Sequence, residues 1–261
     1  MAAKRNSKRG RRNRGRFGGL YKIMSVILIL AALVAGSAVF FRVDDVEVTG
    51  QNRYTADQII QAAGVKQGDN LFLMNKFNVA KHLLSALPYI DEVNIRRALP
   101  DTLRITVTEC VPAAVVPGEQ NTWWIIDTKG KVLEQTDTDT ADGTAKVNGL
   151  TAILPAPGTK LAVGDENSGK LQSLLDLMSA FAQYNMIGQV SAIDMTGDAN
   201  IVFGYQGRFE VKIPMTCDFS QKVWALDAMV AQLQENESGG IDLTGDEKLY
   251  FNPNQTMEIF S

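Results

Sequence analysis

The chain has 261 residues, is 45% hydrophobic and carries a formal net charge of −3. Nine of its 26 basic residues lie in the first 22 positions, which hold no acidic residue, so 17 basic and 29 acidic residues remain beyond them. Such an acidic body repels nucleic acid and excludes a general nucleic-acid-binding function outside the tail. The two cysteines, Cys110 and Cys217, exclude a disulfide-based scaffold and have no metal-type spacing, although a single disulfide between them stays open.

The N-terminal region consists of a basic tail, residues 1–22, and an uncharged apolar run of 19 residues at 23–41. As a helix, with a rise of about 1.5 Å per residue, the run spans roughly 28 Å and matches one hydrocarbon core. It exceeds the ~7–15 apolar residues of a cleaved signal peptide, the alternative raised by Gly36-Ser37-Ala38. We therefore predict a single uncleaved transmembrane helix in the plasma membrane. The positive-inside rule then predicts a cytoplasmic N-terminus and an extracytoplasmic C-terminus.

A small α+β unit is predicted over residues 42–112, with the element order strand, helix, helix, strand, strand. An alternating strand ends at Gly50, and a capping box that begins at Thr55 starts the first helix. The second helix is predicted from about Lys76 to Ala86 by its apolar face. The last two strands are joined by a turn at residues 99–102.

The hairpin at residues 89–109 alternates aliphatic and polar side chains, as the strands of a half-buried sheet do. The hairpin carries three arginines that we predict to be exposed, Arg96, Arg97 and Arg104. Neither face carries a group suited to catalysis. A hairpin that exposes polar, hydrogen-bonding side chains close to the membrane is consistent with a docking surface. The positions predicted to face the core are Val93, Ile95, Leu103, Ile105 and Val107.

Residues 113–252 are predicted to form a second domain, a mixed α/β domain of mainly antiparallel strands with two helices. A short C-terminal tail at 253–261 follows it, and residues 136–145 are interpreted as a polar loop. The other predicted elements are hairpins at 123–135 and 200–213, helices at 168–184 and 218–235, and strands at 190–197, 241–245 and 248–252.

Motifs for catalysis and for metal binding are missing or incomplete in this sequence, and we predict no catalytic, cofactor-binding or metal-binding residue. His82, the one histidine, lies inside a predicted helix, which excludes the two-histidine zinc motifs and argues against Ser–His–Asp catalysis. Residues 137–143 resemble the start of an EF-hand, but Asn148 takes the place of its closing glutamate. Residues 214–217 faintly resemble a sortase strand end, but the arginine that such enzymes need after it is absent.

The order of a basic tail, a single span and a strand–helix–helix–strand–strand unit resembles the FtsQ/DivIB family of bitopic bacterial cell-division proteins. The first extracytoplasmic domain of that family is a POTRA domain, and residues 113–252 are similar to its β domain. Two positions depart from the family pattern: Leu99 replaces a frequent tryptophan, and Cys110 replaces a basic residue. The matching residues are Val46 to Gln51, Pro88 to Ile90, Val93, Ile95 to Arg97, Pro100 to Ile105, Val107, Glu109, Pro112 and Ala113, then Trp124 to Gly130, Ile193 to Met195 and Ile241 to Leu243.

The resemblance implies a non-enzymatic scaffold of the divisome that needs no cofactor. Its implied partners are FtsL-like and FtsB/DivIC-like coiled-coil membrane proteins at the division septum, where it would regulate septal peptidoglycan synthesis. Two alternatives stay open beside it. One is a POTRA-bearing factor of secretion or outer-membrane assembly, a class that usually repeats the POTRA unit. The other is a membrane-anchored cell-wall enzyme, because acidic residues are plentiful and a carboxylate pair for sugar hydrolysis stays open.

The last predicted strand, Lys248 to Asn252, is the predicted partner-binding site. It lies near the end of the chain, so we expect it at a sheet edge, where a partner's extended segment can add as a further strand. The family resemblance places the FtsB/DivIC contact at the same strand. Tyr250 is the expected anchor, because aromatic side chains dominate many interfaces, with Leu249 and Phe251 on the opposite face. The alternative is that all three are core residues of a terminal strand.

Overall fold

The computed structural model describes residues 17–139, 141–245 and 249–253, together with Ile259. Along the chain these residues form a long apolar helix, a first domain with a three-stranded sheet and a second domain with a nine-stranded sheet. This mixed α+β architecture confirms the predicted fold class. The predicted basic tail up to residue 16 and most of the predicted C-terminal tail lie outside the described residues.

Helix α1 (Phe17–Phe40) buries none of its central apolar window, Gly19–Gly36, against the rest of the protein. That window has a mean hydropathy of 2.1, so the helix is long and apolar enough to cross a membrane. A helix in contact with lipid needs no apolar partner inside the protein, which agrees with this lack of packing. The helix begins six residues before the predicted span. It ends at Phe40, so that Phe41 instead packs against the core of the first domain.

The first domain has the predicted order of strand, helix, helix, strand and strand. In its sheet the strand order is β1-β3-β2, with β1 parallel to β3 and β2 antiparallel to it. The two helices pack their apolar faces against one side of this sheet. The elements are β1 (Asp45–Thr49), α2 (Ala56–Ala63), α3 (Lys76–Ala86), β2 (Ile90–Ala98) and β3 (Thr102–Glu109).

Local side-chain hydrogen bonds explain where the two helices of this domain begin. The Thr55 hydroxyl accepts from the Gln58 N–H at 3.2 Å, and the Gln58 side chain accepts from the Thr55 N–H at 2.9 Å. This reciprocal pair is the predicted capping box. Helix α3 begins in the same way, because the Asn75 side chain accepts from the Phe77 N–H at 3.0 Å.

The core of the first domain confirms the predicted register of the hairpin. Leu103, Ile105 and Val107 on β3 are buried together with Ile95 on β2, and the predicted inward residue Val93 packs against them half-buried. Because side chains alternate along a strand, this register directs Arg96 and Arg104 to the opposite face.

The second domain is built on one long mixed sheet with the strand order β12-β11-β10-β9-β8-β7-β4-β5-β6. Five of the eight pairings are antiparallel, and the two helices pack on each other and on the core. The elements are β4 (Pro112–Pro117), β5 (Trp123–Asp127), β6 (Val132–Thr136), β7 (Ala145–Asn148), α4 (Ser168–Gln183), β8 (Val190–Asp194), β9 (Asn200–Tyr205), β10 (Phe209–Pro214), α5 (Phe219–Val230), β11 (Gly239–Asp242) and β12 (Tyr250–Asn252).

Three features of this domain differ from the sequence prediction. Strand β4 was not predicted, because its buried residues 113–116 form a continuous apolar run instead of an alternating one. Strand β7 begins where a polar loop was predicted to end. Helix α5 ends at Val230 instead of continuing to Glu235. Beyond it the chain turns, and Arg208 Nη1 donates to the carbonyl oxygen of Glu235 at 2.7 Å.

Candidate functional site

Strand β12 is one edge of the nine-stranded sheet, and β6 is the other. In the described part of the chain no strand lies on the outer side of β12. A strand in this position can accept a further strand from another protein through main-chain hydrogen bonds. The antiparallel register with β11 pairs Gly240 with Asn252, Ile241 with Phe251, and Asp242 with Tyr250.

The side chains at this edge point to two faces. Tyr250 exposes 60% of its surface to solvent. Phe251 packs on the core, with its ring centre 6.0 Å from that of Phe209 in an edge-to-face arrangement, and Leu249 packs on the same core. Tyr250 is therefore accessible to a partner while its two neighbours hold the strand in place. Lys248 lies outside the described residues, and partner binding at this strand stays a prediction.

An apolar groove runs between α5 and Leu249, next to the start of β12. Its volume is about 330 Å³, and Trp224 on its wall exposes 58% of its surface. No role was predicted for Trp224 from the sequence, although a tryptophan on the solvent side of an amphipathic helix is a recognisable sign of an interface. This end of the domain thus presents two exposed aromatic side chains. The other lining residues are Ala225, Ala228, Met229, Gln232 and Leu233.

Asp242 fixes the turn that follows β11. Its Oδ1 accepts hydrogen bonds from the Thr244 N–H at 2.8 Å and from the Thr244 hydroxyl at 2.6 Å. Burial disfavours the charged carboxylate, but these hydrogen bonds, with the nearby Lys212, outweigh burial and lower the pKa of Asp242. Buried Lys222 adds a second support, because its Nζ donates to the Gly245 carbonyl oxygen at 2.7 Å. Gly245, three residues beyond the end of β11, is thereby attached to α5.

The three arginines of the predicted exposed hairpin have different surroundings. Arg96 and Arg104 lie opposite each other on β2 and β3, and both are exposed. Arg104 also forms an ion pair with Glu47 at 2.7 Å. Arg97 differs, because it is half-buried and its Nη2 donates to the Met74 carbonyl oxygen at 3.0 Å. It is therefore not part of an exposed arginine surface, because it lies opposite buried Leu103 on the side of the sheet that faces the helices, where the loop before α3 folds against it.

The two domains meet at a small cluster around Tyr89. The Tyr89 hydroxyl donates to Glu134 Oε1 at 2.6 Å, and the Arg53 guanidinium lies 3.7 Å from the centre of the Tyr89 ring. Arg53 also pairs with Glu134 at 3.1 Å. Burial, together with the hydrogen bond to Glu134, raises the pKa of Tyr89, so its hydroxyl remains a proton donor. The buried residues of this domain joint are Tyr89, Cys110, Val115, Ile125 and Leu133.

Asp91, Cys110 and Asp127 bring three possible metal-ligand atoms within 4.8 Å of one another at the joint. Protein groups already occupy both carboxylates: Lys129 Nζ contacts Asp91 at 2.6 Å, and Asp127 accepts from the Lys131 N–H at 2.7 Å. Burial raises the pKa of the Cys110 thiol to about 12, so it carries its proton at neutral pH. The cluster therefore fits a hydrogen-bonded joint better than a metal site.

The other residues considered for catalysis, metal binding or a disulfide are exposed, paired with a protein group or not linked to each other. His82 is exposed on α3. Asp139 in the acidic loop pairs with Lys146 at 2.6 Å, and the hydrogen bond from Lys146 lowers the pKa of that carboxyl. Cys110 and Cys217 do not form a disulfide with each other. In the described residues these groups are not assembled into a catalytic arrangement.

Residues 41–109, the first domain, match the family model of the POTRA domain of the FtsQ type. The chain is 29% identical over 139 residues to the cell division protein FtsQ of Corynebacterium glutamicum, an alignment that covers 51% of this chain and 62% of that protein. It is 27% identical over 157 residues to the cell division protein DivIB of Clostridium acetobutylicum, with coverages of 60% and 61%. It is 36% identical over 101 residues to the cell division protein FtsQ of a Geobacter species, with coverages of 38% and 32%. The chain thus spans less than two thirds of the length of each of these relatives.

Proposed function

We propose that this chain, a member of the FtsQ/DivIB family, is a membrane-anchored scaffold of bacterial cell division that carries out no catalysis itself. Its FtsQ-type POTRA domain and its similarity to proteins named FtsQ and DivIB support a role in division. The exposed apolar helix α1 supports membrane anchoring. In the described residues, an open sheet edge is available for protein binding, and the groups considered for catalysis are not assembled into a catalytic site.

The proposed partners are FtsL-like and FtsB/DivIC-like coiled-coil membrane proteins at the division septum. By joining them, the chain would regulate septal peptidoglycan synthesis that other proteins of the assembly carry out. The basic tail would lie in the cytoplasm and both folded domains outside it, in accord with the positive-inside rule.

The observation that carries this proposal is the edge strand β12 with its exposed Tyr250. A partner segment added beside β12 would gain affinity from main-chain hydrogen bonds. Its side chains would contact Tyr250 on one face and the groove that contains Trp224 beside the strand. Aromatic anchors of this kind contribute a large share of the binding energy in many interfaces.

The test is binding of the full chain to its coiled-coil partners, measured for the parent, Tyr250→Ala and Trp224→Ala. We expect each substitution to weaken binding at least about 10-fold, because an anchoring aromatic side chain contributes roughly 2 kcal/mol or more. Both side chains are exposed, so the melting temperature should stay unchanged. Leu154→Ala is the matched control, since Leu154 is an exposed apolar residue in another loop of the same domain.

A proline at the same position tests whether the paired edge strand itself is needed. Tyr250→Pro removes the backbone N–H that Tyr250 directs to Asp242 of β11 and so weakens the pairing of β12, whereas Tyr250→Ala removes only the side chain. If both variants stay folded and bind the partners as the parent does, the binding surface lies elsewhere.

A fluorescent fusion of the full chain separates division from the secretion and assembly alternative. Enrichment at the septum supports the scaffold proposal, and an even distribution over the membrane favours the alternative. Turnover of peptidoglycan by the purified chain would favour the cell-wall enzyme.

A further inference from the structure

The exposed apolar side chains of the POTRA domain are distributed unevenly. Among the described residues from 42 to 110, the large hydrophobic side chains exposed to solvent are those of Phe72, Leu73, Phe77 and Leu99. Leu73 exposes 82% of its surface and Leu99 57%. Three of the four lie in the loop before α3 or in its first turn, and the fourth lies in the turn between β2 and β3. The next exposed large hydrophobic side chain along the chain is that of Val111, in the linker to the second domain.

The loop that carries Phe72 and Leu73 is attached to the point where α1 ends. The Leu71 N–H donates to the Phe41 carbonyl oxygen at 3.0 Å, and the Val43 N–H donates to that of Asp69 at 2.8 Å. The rings of Phe41 and Phe72 are 4.9 Å apart. Since α1 ends at Phe40, this loop lies beside the C-terminal end of the helix that is the candidate membrane span.

The turn that carries Leu99 lies beside the same short segment. The Asp44 N–H donates to the Asp101 carbonyl oxygen at 2.9 Å, and the β1–β3 register begins with Asp45 opposite Thr102. The two apolar turns therefore flank residues 41–45 at the membrane-proximal end of the domain.

Hydrogen bonds hold the first of these turns in a defined conformation. The Asn70 side chain accepts from the Phe72 N–H at 2.9 Å and from the Leu73 N–H at 3.0 Å. Arg97 Nη2 donates to the carbonyl oxygens of Met74 and Phe72 from the other side. Phe72 and Leu73 are thus exposed to solvent on a turn whose backbone is held by hydrogen bonds from both sides.

We propose that Phe72, Leu73 and Leu99, here called the apolar tip, insert into the headgroup and acyl boundary of the bilayer leaflet from which α1 emerges. The inference rests on α1 as the membrane span and is independent of the proposed partner site. Apolar side chains that rim a membrane-anchored domain are stabilised at this depth of a phospholipid bilayer. Arg42 is exposed in the same segment and can contact the phosphate groups.

A bound peptide accounts for these residues less well than lipid does. An open groove lies between α3 and the edge strand β2, and Phe77 on its wall could contact a peptide there. Phe72, Leu73 and Leu99 do not line that groove. Insertion of the tip would give the domain a second membrane contact besides α1 and would limit its rotation about the end of the helix.

The test uses the full chain inserted into phosphatidylcholine and phosphatidylglycerol vesicles. Leu73→Cys and Leu99→Cys are labelled with an environment-sensitive fluorophore in a Cys217→Ser background that retains buried Cys110. Thr108→Cys is the control, because Thr108 is exposed six residues along β3 from Thr102, about 20 Å from the turn that carries Leu99. We expect blue-shifted emission and quenching by lipids brominated near the headgroup at positions 73 and 99, and neither effect at position 108.

Emission and quenching at positions 73 and 99 equal to those at position 108 would overturn the proposal. Emission that is blue-shifted without quenching by the brominated lipid would also overturn it, because a protein surface would then cover the tip.

A second variant tests the side chain itself. With the label at position 99, Leu73→Asp should reduce the quenching, whereas Leu154→Asp in the second domain should leave it unchanged. Partner binding is not needed for either result, so a failure here is distinct from a failure of the proposed function.

Discussion

Gly239 is a single residue on which the geometry of the edge strand depends. Its φ of +148° lies in a region that side chains rarely adopt, and a Cβ at this position would overlap the carbonyl oxygen of Asn252. Only glycine lets β11 and the end of β12 approach as closely as they do. The conformation of the proposed partner edge therefore depends on a residue that contributes no side chain to it.

We predict that Gly239→Ala displaces β12 at a cost of about 1–3 kcal/mol, the range of a strained backbone position. Amide hydrogen exchange should become faster in residues 239–242 and 250–252, while the rest of the domain stays protected. Gly188→Ala is the control, since a Cβ on Gly188 would meet no atom within 4 Å. Unchanged exchange at β11 and β12 in Gly239→Ala would contradict the prediction.

We expect acid to destabilise the paired strands β11 and β12, because protonation of Asp242 weakens the hydrogen bonds that hold the turn after β11. Its pKa in the folded chain is lowered from an unfolded value of about 3.9. A carboxyl of this kind stabilises the fold above its unfolded pKa and loses that contribution as the pH falls through its folded pKa. We therefore expect exchange protection at β11 and β12, corrected for the intrinsic rate, to fall below about pH 4. Asp242→Asn should abolish this acid step, and its persistence in the variant would assign the step to another group.

At the scale of elements, the hairpin of β2 and β3 is the main structural support of the POTRA domain. Ile105 is fully buried between the sheet and the two helices, and Ile95 lies opposite it in the register. Arg104 is the next residue to Ile105 in β3, but it faces solvent and pairs with Glu47. Two adjacent positions of one strand therefore differ sharply in what a substitution should do.

We predict that Ile105→Asp unfolds the POTRA domain, because it places an unpaired charge in the core at a cost above about 4 kcal/mol. Ile95→Asp should have the same effect. Arg104→Ala is the matched control and should cost at most about 1 kcal/mol, the range of an exposed ion pair. Circular dichroism and thermal melting of the chain measure both. A POTRA domain that melts normally with Ile105→Asp would show that the strand register is wrong.

In the whole molecule, the contacts around Tyr89 hold the second domain in a defined orientation relative to the POTRA domain. The linker between β3 and β4 is only two residues long, and charged, aromatic and apolar contacts of Tyr89, Arg53 and Glu134 surround it. A short linker with specific contacts on both sides favours a fixed arrangement over independent domain motion. The proposed partner edge would then be held at a defined place relative to the membrane.

We predict that Tyr89→Phe loosens this joint by about 1–2 kcal/mol, because it deletes a hydrogen bond to a charged and half-exposed acceptor. Distances between spin labels on the two domains should become more widely distributed, while each domain keeps its own fold. Tyr184→Phe, a half-buried tyrosine that packs in the second domain, is the control. An unchanged distance distribution in Tyr89→Phe would mean that the ring, and not the hydroxyl, maintains the joint.

Features of this protein that depend on neighbouring residues could be predicted from the amino-acid sequence. The apolar run of α1, the capping box at Thr55, the limits of α3 and the alternating strands of the hairpin were all predicted, because each of these signals is local in the chain. The outward position of Tyr250 was predicted for the same reason, since alternation along β12 separates it from Phe251.

Features that depend on residues distant in sequence were missed. The inner position of β4 and the packing of Phe41 on the POTRA core were not predicted, and the contact of Arg97 with the loop before α3 was not either, although alternation with Ile95 places Arg97 on the helix-facing side of the sheet. The groove that joins Trp224 to Leu249 and the apolar tip beside the end of α1 likewise arise from separate segments brought together. Local sequence patterns determine the face of a strand or helix on which a side chain lies, whereas the packing of distant segments determines which residues it contacts.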